Sequence, residues 1–96
     1  MKHLIFRGIE FLSSMDEDSF FTWLGKIECI TEVLGDEEAI NISIGQSVSD
    51  YDLREIIAIA YRYGADMTQL RVFLTDKNKG WFFENTESYW HKEVFY

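Results

Sequence analysis

The feature that most restricts how this chain can fold is a single change of apolar period between Ile40 and Gly64. Ile40-Asn41-Ile42-Ser43-Ile44 alternates apolar and polar residues, the pattern of a strand with one buried face. From Leu53 the spacing becomes helical, through Ile56, Ile57, Ala60 and Tyr63. Ser49-Asp50-Tyr51-Asp52 precedes this stripe as a Ser-x-x-acid helix start, and Gly64 follows it as a residue able to end a helix in the left-handed conformation. A strand over 40–44 and a helix over 50–63 are therefore expected.

The flanking segments extend the pattern. Residues 3–12 are aromatic and β-branched and read as a strand, with Gly8 as a bulge. Ser14-Met15-Asp16-Glu17 fits a capping box, and Phe20, Trp23, Leu24, Ile27, Ile30 and Leu34 follow at helical spacing up to Gly35. This predicts a first helix over 15–34. Gln69 to Thr75 alternates as a strand, Asp76 to Gly80 reads as a hairpin turn, and Trp81 to Glu84 returns as a strand. After a turn over 85–88, Tyr89 to Tyr96 reads as a terminal strand. The expected order is β-α-β-α-β-β-β, an α+β fold in one domain spanning 1–96. Its two amphipathic helices would pack on one face of a mostly antiparallel sheet. Ninety-six residues leave no room for a second core. The other sheet face would be covered by aromatic side chains or by another molecule.

Charge narrows the range of functions. The net charge is −8, and residues 10–38 alone carry nine acids against Lys26, a local charge equal to that of the whole chain. Such a balance argues against nucleic acid or an anionic membrane as partner and leaves a basic protein. No apolar run has the length of a membrane span, and Arg7 interrupts the N-terminus too early for a signal peptide, so a cytoplasmic protein is expected.

Catalytic and metal-binding patterns are not found. His3 and His91 are the candidates for a general base, one in each terminal strand, but no nucleophile stands at a recognisable position beside them. Cys29, the one cysteine, follows Glu28, whose charge would raise a thiol pKa. Asp16-x-Asp18 lacks the rest of a calcium loop, since Phe21 stands where glycine is needed. A non-enzymatic protein without cofactor or metal is expected.

Acids at helix starts are accounted for by the helix dipole. Glu28 and Glu32, read as a like-charge pair four apart on one helix face, and Asp36, Glu37 and Glu38, read as lying beyond a helix C-terminus, are not. These five form a candidate acidic ridge, with Asp50, Asp52 and Glu55 behind it. Seven aromatic rings fall in the last sixteen residues, and Trp81, Phe82, Tyr89 and Trp90 are candidate anchors for a partner.

A small, acidic, cysteine-poor α+β domain with acid ridges and spare aromatics resembles the immunity proteins of bacterial toxin–immunity pairs, including those of contact-dependent growth inhibition. The resemblance lies in overall character along the whole chain. It implies an inhibitor that covers the basic active-site cleft of a cognate toxin, a nuclease by preference; the oligomeric state is open, with a monomer favoured. Phage inhibitors that mimic nucleic-acid charge share this character. A self-associating structural module, and a small hydrolase using His3 or His91 with a carboxylate, are the readings from other classes.

Overall fold

A computed structural model describes residues 2–96. Strand β1 (Lys2–Arg7) is followed by helix α1 (Ser14–Lys26), strands β2 (Ile30–Gly35) and β3 (Ala39–Ile44), and helix α2 (Asp50–Tyr63). A 3₁₀ helix (Met67–Phe73) and two short helices, α3 (Lys79–Phe82) and α4 (His91–Phe95), complete the chain. The α+β class holds, but the observed order is β-α-β-β-α followed by helical turns.

β3 is the central strand of a three-stranded antiparallel sheet in the order β1-β3-β2. Its alternation fixes the two faces. Ile40, Ile42 and Ile44 are buried, beside Leu4 and Phe6 of β1, against Phe20 and Leu24 of α1 and Leu53, Ile56 and Ile57 of α2. Each such fully buried side chain contributes about 1.5–3 kcal/mol of transfer free energy. The opposite face is open. Its rows are His3–Ser43–Glu32 and Ile5–Asn41–Leu34, and Ile5 and Leu34 are exposed.

Helix α2 has the boundaries its sequence implies. Ser49 Oγ accepts from the Asp52 amide at 3.0 Å, and Gly64 ends the helix at φ 72°. Helix α1 begins one residue earlier than expected, because Ser13 rather than Ser14 is the cap and accepts from the Asp16 amide. The Asp16 carboxylate accepts from the Leu12 amide and, at 2.9 Å, from the Tyr63 hydroxyl, joining the start of α1 to the end of α2.

The expectation of a helix continuing to residue 34 is corrected. α1 stops at Lys26, Ile27 is extended, and residues 30–35 form an edge strand. Two forces favour this outcome: pairing with β3, and the β-branched run Ile30, Thr31 and Val33, which suits a pleated strand better than a helix. At the turn between the two elements the Cys29 amide donates to the Asp52 carboxylate at 3.0 Å.

The three C-terminal strands are corrected as well. Residues 67–73 bury Met67, Leu70 and Phe73, a period of three, and leave Val72 exposed. Asp66 caps this 3₁₀ helix through the Thr68 amide. Thr75 and Asn78 exchange hydrogen bonds, with Asn78 Nδ2 also donating to the Phe73 carbonyl, and this polar knot leads into α3. The aromatic run then packs as helical turns rather than across the sheet. Phe82 sits between Trp90 and Phe95, with ring centroids 5.6 and 5.1 Å away. Residues 89–96 therefore form no strand paired with β1, and the pairing that would set His3 beside His91 is absent.

Candidate functional site

The five acids of the proposed ridge do not share a helix face. They lie instead along one strand edge. Glu28 occupies the turn before β2, Glu32 projects from β2 on the open sheet face opposite Ser43, and Asp36, Glu37 and Glu38 form the turn between β2 and β3. All five are exposed, and β2 spans about 20 Å.

The turn itself is built by one of them. The Asp36 amide donates to the Ala39 carbonyl at 3.0 Å, closing a two-residue hairpin loop over Glu37 and Glu38. Among the described residues no non-glycine has positive φ, so this turn is not the primed kind that usually closes such loops. The Asp36 carboxylate compensates by accepting from the amides of Ala39 (2.9 Å) and Glu38 (2.8 Å). These two amides hold its pKa below the usual aspartate value, with a smaller contribution from Arg7. Asp36 is the only one of the five whose carboxylate joins a hydrogen bond among the described residues, and neither donor is a lysine or arginine side chain.

The sheet has two outer strands, and they differ. On β1, the Ile5 amide and carbonyl are both occupied by the Gln69 side chain, at 2.8 and 2.9 Å. On β2 the Ile30 amide turns back to the Ile27 carbonyl at 3.1 Å, and among the described residues no side chain bridges the outer edge as Gln69 does at Ile5. The strand that carries the acids is thus an outer strand without a side-chain clamp.

The second set of acids separates. Asp50 is exposed in the first turn of α2. Asp52 is only 6% exposed and holds the Cys29 amide, so its assignment to a charged surface is corrected. Glu55 is half-buried and accepts from Trp23 Nε1 at 3.1 Å, tying α2 to α1. Of the proposed anchors, Phe82 and Trp90 belong to the core at 0% and 7% exposure and are corrected likewise. Trp81 is half-buried, with the Arg54 guanidinium 4.0 Å from its ring centroid. Tyr89 is exposed and meets Tyr61 edge to face at 4.8 Å.

The groups considered for catalysis are also placed. His3 Nε2 lies 3.2 Å from Ser43 Oγ, but Glu32 is opposite Ser43 rather than behind the imidazole, where an acid would orient a base. His91 is buried with Nε2 2.6 Å from the Phe83 carbonyl. Burial, and then the Asp52 charge, push the Cys29 thiol up to about 11, so the thiol is protonated at neutral pH. The direction agrees with the sequence, but the responsible acid is Asp52 rather than Glu28. Among the described residues no group of three or more His, Cys, Asp or Glu is placed to hold a metal, and no helix is long and apolar enough to cross a membrane.

One feature of the hairpin escaped the sequence. A cleft of about 480 Å³ opens between it, the loop after β1 and α1. Glu17, explained in the sequence by the helix dipole, lines this cleft together with Asp36, Glu37 and Glu38. Its apolar wall includes Phe11 and Phe21, and a Cβ at Gly35 would meet the Phe21 ring in ordinary van der Waals contact at 3.6 Å. No sequence spacing links Glu17 to a turn twenty residues away; only the pairing of β2 with β3 does.

Comparison of the chain with protein-family models, with curated proteins and with solved structures gives no match.

Proposed function

We propose that this protein is a non-enzymatic inhibitor that binds a basic protein partner through the β2 edge and its hairpin. The partner class favoured is a cognate bacterial toxin, a nuclease by preference, whose cationic active-site cleft would be covered. The observation that carries this reading is the row of exposed carboxylates at Glu28, Glu32, Glu37 and Glu38, unengaged by side chains among the described residues and set along the outer strand β2 and its flanking turns. Such a row accelerates encounter with a cationic surface and disfavours partners of the wrong charge. It also disfavours self-association, because two copies paired along β2 would bring like charges together.

The test is co-expression with the toxin encoded by the adjacent reading frame. Cells carrying the wild-type protein should survive. Cells carrying Glu28→Lys/Glu32→Lys/Glu37→Lys should lose protection, while the variant keeps its thermal midpoint. Asp36 is left in place because it closes the hairpin turn. No protection by the wild-type chain would overturn the reading.

A further inference from the structure

The cleft beside the hairpin has a composition that selects its occupant. Phe6, Ile9, Phe11, Phe21 and Ile40 contribute its apolar lining, and the acidic residues Glu17, Asp36, Glu37 and Glu38, all exposed, line it as well. Phe21 is 36% exposed, and its ring is tilted 46° to that of Phe11 with centroids 6.1 Å apart. Entry of a neutral apolar group would strip water from the carboxylates without replacing it. An anion would be repelled. A lysine ammonium is a compact, strongly hydrated charge that gains little from an aromatic wall. A guanidinium meets both requirements, since its plane stacks on aromatic rings and its N–H fork pairs with carboxylates.

We propose that this cleft is a receptor for an arginine side chain presented by the partner, with the guanidinium against Phe11 and Phe21 and its N–H groups directed to Glu17 and Glu38. The proposal rests on the reading that the partner is basic, and it names the side chain recognised.

The experiment titrates the full-length, isotope-labelled chain with hexa-arginine and with hexalysine, followed by NMR. Hexa-arginine should shift the ring resonances of Phe11 and Phe21 and the amides of Gly8 and Gly35, and bind about tenfold more tightly than hexalysine. Glu17→Gln/Glu38→Gln should weaken hexa-arginine by about tenfold, as expected for the loss of charge-assisted hydrogen bonds at a partly open site. Both side chains are exposed, so the variant should fold as the wild type does. Equal affinity for the two peptides, shifts confined to β2 that spare Phe11 and Phe21, or indifference to the double substitution would each overturn the proposal. If the cleft fails in this way while Glu28→Lys/Glu32→Lys/Glu37→Lys still abolishes protection, the basic-partner reading survives without the cleft. Arginine selectivity in the cleft with no protection by the wild-type chain would uphold the receptor and overturn the inhibitor.

Discussion

Asp52 shows how much a single carboxylate's role depends on the element next to it. In the sequence it is one of several acids at a helix start; in the fold it is buried and receives the amide of Cys29 at the turn into β2. Replacing Asp52 by Ala leaves that amide without its acceptor, and a loss of about 1–3 kcal/mol is expected in urea unfolding. Asp52→Asn, which retains a side-chain oxygen, should lose less. The aromatic residues divide in the same way. Phe82→Ala should cost about 3–5 kcal/mol because the ring is fully enclosed, whereas Tyr89→Ala, at an exposed ring, should stay within about 0.5 kcal/mol. The position of Cys29 next to Asp52 also makes a prediction in alkali. A thiol that titrates near 9.0 when unfolded and near 11 when folded keeps its proton longer in the native state. The stability it contributes is therefore full below pH 9 and declines as the pH rises through 11, by on the order of 2–3 kcal/mol. Comparing urea midpoints of wild type and Cys29→Ala at pH 8 and at pH 11 isolates this loss, which the variant should not show.

At the scale of elements, β3 and α2 were legible because each carries one uninterrupted period and α2 carries both its caps. The failure at residues 27–34 has a specific cause. Ile30 and Leu34, read as one helix face, fall on opposite faces of the sheet: the register of β2 slips between Ile30 and Glu32, so that Ile30 stands opposite Ile44 toward the core while Leu34 stands opposite Asn41 and is exposed. Their four-residue spacing thereby imitates that of a helix. The apparent electrostatic conflicts were a symptom of that imitation: Glu28 and Glu32 share no helix face, and Asp36 follows a strand rather than a helix C-terminus. Residues 67–73 failed for the complementary reason. Leu70, Val72 and Leu74 alternate, but the interior is taken by Met67, Leu70 and Phe73. The five acids from Glu28 to Glu38 still fall in one region because they are close in sequence, whereas the cleft, which needs Glu17 and the hairpin together, was not visible. Two glycines check the helix assignments in opposite directions. Gly25 lies within α1 with free space around a Cβ, so Gly25→Ala should stabilise by about 0.5–1 kcal/mol. Gly64 sits at φ 72°, and Gly64→Ala should destabilise by about 1 kcal/mol, both read from thermal or urea midpoints.

For the whole molecule, charge contributes to stability, and the proposed function gives it a second role in recognition. Asp16, Asp36 and Asp66 each titrate below 3.8, chiefly because backbone amides and neighbouring hydroxyls donate to their carboxylates. Their contribution is complete above the ordinary aspartate range and is lost as the pH falls through their depressed values, so the urea midpoint should decline as the pH drops below about 4. The carboxylates along β2 lie on a sheet whose other outer strand is met at Ile5 by the Gln69 side chain. The most direct test of the proposed role is the association rate with the proposed toxin partner, recorded by stopped-flow fluorescence over a series of salt concentrations. Wild type should associate quickly at low salt and slow steeply as salt is added, while Glu28→Lys/Glu32→Lys/Glu37→Lys should start slower and lose most of that dependence. Identical rates and identical salt slopes for the two proteins would contradict recognition through the acidic edge.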